Sequence, residues 1–99
     1  MMRSIRKELL DRLVDLPRSV SSLARELGLT RRDVADDLAH ALRSAESAGY
    51  RVEVLPARCR TCDFTFDTRK LSKPGRCPSC RGTRLFEAQI ILRKPATSN

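Results

Sequence analysis

An α+β fold, three helices followed by a small antiparallel β module, is what this sequence predicts. Three observations lead there. Apolar residues in the first half recur at three- and four-residue steps, the period of an amphipathic helix. After Tyr50 the pattern becomes Arg51-Val52-Glu53-Val54-Leu55, the alternation of a strand with one wet face. All four cysteines then fall in one segment, CRTCDFTFDTRKLSKPGRCPSC, residues 59–80.

The first helix is marked by Ile5, Leu9, Leu13 and Leu16, with Leu10 beside them. Ser4 is its candidate N-cap, and Pro17 is expected to end it, because a proline pushes the residue before it out of the helical region. Ser19 caps a second, shorter helix whose inner face is Val20, Leu23, Ala24 and Leu27. Gly28 stands where a helix ends in a left-handed residue. Thr30-Arg31-Arg32-Asp33 resembles a capping box, with Asp in place of Glu or Gln. The third helix is expected over residues 31–47, with Val34, Leu38, Ala41, Leu42 and Ala45 as its stripe and Gly49 closing it. Three helices with a tight Gly-Leu-Thr turn between the last two are the layout of a helix-turn-helix.

Two strands are expected, at residues 51–55 and 85–92, the second with weaker alternation. Such a pair after a third helix is winged-helix-like, and the loop between the strands is the wing. Here that loop holds every cysteine. The expected domains are a helix-turn-helix (winged-helix-like) unit at 1–57, a cysteine module with its closing strand at 58–94, and a flexible tail at 95–99.

The cysteines read C-x2-C-x14-C-x2-C: Cys59, Cys62, Cys77 and Cys80. A two-residue gap lets both sulfurs of a pair turn to one point, and two such knuckles supply four soft ligands in a tetrahedron. Thiolates favour zinc or iron over calcium or magnesium. One structural Zn²⁺ is the expected cofactor, in a small antiparallel β zinc ribbon. The competing readings are disulfides, thioredoxin-like redox chemistry and rubredoxin-like iron. Disulfides are disfavoured in a reducing cytosol. Redox chemistry needs one C-x-x-C beside a βαβ pattern. A catalytic zinc keeps an open position, and four cysteines leave none. The one histidine, His40, lies on the third helix. No phosphate-binding glycine loop or catalytic set is visible, so no enzyme is expected. Asp63 follows the first knuckle where a left-handed residue is often needed. Phe64 and Phe66 are expected on one face of a short strand, as a dry shell for the site.

The formal net charge is +8, which points to a polyanionic partner. Residues 1–49 carry 9 basic and 8 acidic side chains, and residues 50–99 carry 11 and 4, so the halves hold +1 and +7. Arg32, His40 and Arg43 lie on the outward side of the third helix, and Arg31 stands beside Arg32 at its N-terminal end. Arg60, Arg69, Lys70, Lys73, Arg76 and Arg81 belong to the cysteine half. These ten are the candidate nucleic-acid contacts. Asp36 sits among the helical ones, where a carboxylate repels phosphate but can accept from a cytosine amine. No apolar run is long enough to span a membrane, and the N-terminus lacks the apolar block of a secretory signal, so the expected location is cytoplasmic.

The combination of residues 55–66, LPARCRTCDFTF, with residues 73–80, KPGRCPSC, resembles prokaryotic predicted transcriptional regulators that fuse a helix-turn-helix to a C-terminal zinc ribbon. In that family the first knuckle is followed by Gly, where this chain has Asp63. The resemblance implies a DNA-binding transcriptional regulator with a structural zinc, acting on double-stranded DNA, alone or as a homodimer. The alternative is an adaptor that docks on a protein partner in the transcription or RNA-processing machinery.

Overall fold

The computed structural model describes residues 5–95. The expected Ser4 cap, the Ile5 side chain and residues 96–99 of the expected tail lie outside the described residues. Three helices come first: α1 (Ile5–Leu13), α2 (Val20–Leu27) and α3 (Arg31–Ser47). Four short strands follow: β1 (Arg51–Leu55), β2 (Arg58–Cys59), β3 (Leu85–Phe86) and β4 (Gln89–Arg93). The molecule is therefore α+β, three helices followed by small antiparallel sheets.

The helix ends are set locally. The Ser19 hydroxyl accepts from Ser22 N–H at 3.1 Å, and the Thr30 hydroxyl accepts from Asp33 N–H at 3.0 Å. Each satisfies one amide that the helix itself leaves unpaired. Gly28 closes α2 at φ +69°, a left-handed conformation that costs glycine nothing. Of the expected stripes, Val20, Leu23 and Ala24 on α2 and Val34, Leu38, Ala41, Leu42 and Ala45 on α3 are buried, and Leu27 is half-buried.

The first helix is shorter than expected. It stops at Leu13, and Leu16 is exposed. The cause is competition for backbone groups. Residues 14–18 pair with β4 instead of continuing the helix: Asp15 N–H donates to Leu92 O at 2.9 Å, and Arg18 and Ile90 exchange bonds at 3.0 and 2.8 Å. Asp15 turns the chain at φ +57°. On the far side of β4 lies β1, antiparallel, with Leu55 opposite Gln89 and Arg51 opposite Arg93.

The strand expected at 85–92 is two strands in two sheets. Leu85–Phe86 pairs with Arg58–Cys59, and Gln89–Arg93 pairs with β1. The chain steps between sheets at Glu87 and Ala88, and the Glu87 carboxylate accepts from the Ser21 N–H at 3.0 Å. That bond satisfies another free amide of α2 and pins the step to the helix. Within the unit expected at 58–94, β4 differs from the cysteine turns in what it packs against. Its Ile90 and Leu92 lie in one core with Leu9, Leu13, Leu23, Val34 and Leu38, so β4 packs with the helices. Being paired on both edges and buried at Ile90, Ile91 and Leu92, it lacks the alternation of a one-sided strand.

Leu92→Ala removes a fully buried side chain from this core, and the expected loss is about 2–4 kcal/mol, measured as the shift of a urea unfolding midpoint.

Candidate metal centre

Cys59 ends β2, Cys62 follows one turn later, and Cys77 and Cys80 form a second turn. The two turns repeat the same hydrogen bonds. In the first, Asp63 N–H donates to Cys59 O at 3.1 Å and Cys59 N–H donates to Phe64 O at 2.8 Å. In the second, Arg81 N–H donates to Cys77 O at 2.8 Å and Cys77 N–H donates to Gly82 O at 2.9 Å. Thr61 and Ser79 N–H each donate to the first sulfur of their own pair at 3.3 Å. Amides aimed at sulfur favour its anionic form.

All four Sγ atoms lie within 4.8 Å of one another. Cys59 to Cys80 and Cys62 to Cys77 are each 3.6 Å. Sulfurs ~2.3 Å from a central zinc stand ~3.8 Å apart in a regular tetrahedron, so the set fits one metal ion. Four thiolates form a closed donor set consistent with a single zinc, whose contribution when bound is to cross-link the two turns. Cys59 and Cys77 are buried, while Cys62 and Cys80 are exposed.

Without a cation, Cys59 and Cys80 are pushed in opposite directions. Backbone N–H groups of Cys62 and Thr61 hold the Cys59 thiol down to about 6. The Gly82 N–H also lowers Cys80, but the bond to Cys59, burial and the other thiols outweigh it and push Cys80 up to about 12. A bound divalent cation inverts this, because it stabilises every thiolate.

Asp63 occupies the left-handed region at φ +64°, as its place after the first knuckle predicts, and Arg81 does the same after the second at φ +65°. Gly82 had no reading from sequence. A Cβ there would sit 3.3 Å from the Cys80 sulfur, so the glycine permits the close approach. Its place two residues after the last cysteine was the available signal. Phe64 and Phe66 are not on a strand; only Thr65 bridges, to Arg58. Their rings meet edge to face at 5.1 Å, but Phe64 is 37% exposed, so it gives no closed dry shell.

The ten candidate nucleic-acid contacts divide. Arg31 and Arg32, in the first turn of α3, share a groove of about 730 Å³ with Lys73, and Asp36 also lines it. His40 and Arg43 are exposed further along α3, and Lys70, Arg76 and Arg81 are exposed in the cysteine segment. Arg69 is engaged by Asp67 through two side-chain bonds of 3.0 and 3.1 Å. That pairing holds the Asp67 carboxyl down to about 2. Arg60 lies over the Phe86 ring.

These features define a class: a three-helix α+β protein with a four-cysteine metal site set in the loop between β1 and β4. Residues 4–52 match the family model described as PF0610-like, N-terminal, a span that ends before the cysteines. The solution NMR structure of protein PF0610 from Pyrococcus furiosus is similar over 93% of this chain and 92% of that one, at 28% identity and a TM-score of 0.74. The shared architecture thus extends through the cysteine half. No curated protein matches the chain.

Two outcomes are expected from the site. Chelating the metal with EDTA removes amide protection from residues 58–86 while the amides of α2 and α3 stay protected, read by NMR hydrogen exchange; the helices keep their own core and the cysteine segment does not. Asp63→Gly relieves a left-handed non-glycine residue and raises the thermal stability of the zinc form by about 1 kcal/mol, read by calorimetry.

Proposed function

We propose that the protein is a DNA-binding transcriptional regulator in which the metal is structural. The observation that carries this reading is the groove shared by Arg31, Arg32 and Lys73. Arginines at the N-terminal end of a recognition helix meet base edges in the major groove. Lysine on the neighbouring loop suits a phosphate contact, which positions without reading sequence. In this reading Arg32 takes a guanine edge or a phosphate, and Asp36 takes a cytosine amine.

The path of the chain supports a winged-helix-like arrangement. Residues 14–18 act as a strand between α1 and α2, a three-residue turn separates α2 from α3, and β1 and β4 close the sheet. The cysteine segment then occupies the wing position. With four thiolates and Zn²⁺ adding −2, the second half keeps about +5 of its +7, enough to draw a polyanion. No helix among the described residues is long and apolar enough to cross a membrane, and the proposed setting is cytoplasmic.

A protein-interaction adaptor is the second reading. The exposed Phe86 beneath two guanidinium groups favours it, since aromatic and arginine side chains are enriched at protein interfaces.

Selection from randomised duplexes, followed by a salt titration, tests the first reading. The selected duplex is expected to bind more tightly than random duplex, with affinity falling as salt rises. Lys73→Ala is expected to reduce the slope of log K against log salt by about 1. Equal binding of selected and random duplexes at moderate salt would reject it.

A further inference from the structure

Side chains alternate along a strand, so β2 sends Cys59 inward to the metal site and Arg58 and Arg60 outward. Phe86 stands opposite Arg58 in the β2–β3 register. One step further, Arg60 N–H donates to Arg84 O at 2.9 Å, which places Arg84 opposite Arg60. One face of this small sheet is therefore three arginines and a phenylalanine, all exposed. The other holds the buried Cys59 and half-buried Leu85.

Two features of that face bear on anion binding. Like charges directly opposite across a strand pair destabilise it, and Arg60 and Arg84 are such a pair. The acid nearest to the cluster, Asp63, reaches only 4.0 Å from Arg58 and is 84% exposed, too wet to offset it. Meanwhile the Arg58 and Arg60 guanidinium groups lie 4.9 and 5.0 Å from the Phe86 ring centroid. Cation–π contact orders both side chains in advance, which lowers the entropy lost when an anion binds.

Beside this face is a groove of about 460 Å³ lined by Leu55, Pro56 and Phe86 together with Ser19, Arg58, Thr65 and Gln89. Leu55 is 52% and Phe86 45% exposed. Glu87, the one acid in the lining, is engaged by the Ser21 amide. An apolar lining beside the three-arginine face suits a peptide better than a nucleic acid. A phosphate backbone brings no apolar side chain, and the Phe86 ring already carries two guanidinium groups where a base would stack.

We propose that this face docks an acidic segment of a partner protein. Its carboxylates engage Arg58, Arg60 and Arg84, and an apolar side chain of the same segment enters the groove at Leu55 and Phe86. The groove shares no residue with the one at Arg31, Arg32 and Lys73, so the inference rests on the adaptor reading and does not depend on DNA binding.

The test uses the zinc-loaded full chain and a fluorescein-labelled peptide alternating Glu with Leu and Phe, read by fluorescence anisotropy. A second peptide of equal charge carries Ser in place of Leu and Phe, and a duplex DNA serves as the third probe. The apolar peptide is expected to bind about tenfold more tightly than the serine peptide. Arg60→Glu should cut its affinity about tenfold while raising the thermal midpoint, because the new carboxylate faces Arg84. A merely structural role for Arg60 would not move those two readings in opposite directions. Leu55→Ser, on β1 and outside the cysteine segment, should cut peptide affinity with zinc content and duplex binding unchanged. Equal binding of the two peptides, no binding of either, or unchanged peptide affinity in Leu55→Ser would each overturn the proposal. So would loss of duplex binding alone in Arg60→Glu, which would give this face to DNA.

Discussion

Strand β4 is hydrogen-bonded along both edges, to β1 on one side and to residues 14–18 on the other, and its Ile90 and Leu92 side chains lie among the helices. Much else follows from that placement. It draws residues 14–18 away from α1 and so fixes where the helix ends. It packs against the apolar face of α1, while its partner β1 packs against α3. It also brings the two ends of the cysteine segment side by side, with Leu55 opposite Gln89. The entropy of closing so long a loop grows only slowly with its length, and the β1–β4 ladder together with core burial offsets it.

Inside that loop there is little apolar material to hold a fold. Ala57, Pro74, Ala88 and two cysteines are its buried residues, and Leu71 reaches back to pack against the helical core. A metal cross-link does there what a core does elsewhere, a common solution in very small modules. The repeated hydrogen bonding of the two knuckles gives each pair the same geometry, so the four sulfurs converge without help from larger side chains. Backbone conformation is where strain collects. Asp63 and Arg81 are both left-handed, and neither is glycine.

The charge of the cysteine half acquires structure only in three dimensions. Arg69 is spent on Asp67, Arg31 and Arg32 gain Lys73 as a neighbour, and Arg58, Arg60 and Arg84 gather beside Phe86. A net charge of one sign thus resolves into two separate cationic surfaces. One is polar and lies beside the N-terminal end of a helix. The other borders an apolar groove, so the two suit different chemistries of partner.

By itself the sequence determined the caps at Ser19 and Thr30, the left-handed Gly28 and Asp63, the stripes of α2 and α3, and the four-sulfur ligand set. The caps, left-handed residues, stripes and each cysteine pair depend on hydrogen bonds or side-chain periods within a few residues, and the repeated C-x2-C pattern marks the two pairs as one set. Only the tertiary structure decided that α1 stops at Leu13, that residues 85–92 serve two sheets, that Glu87 satisfies an amide of α2, and which arginines share a surface. Those outcomes turn on backbone partners far apart in the chain, Arg18 with Ile90 and Ser21 with Glu87. Propensity and periodicity carry no information about such pairs until the core has brought them together.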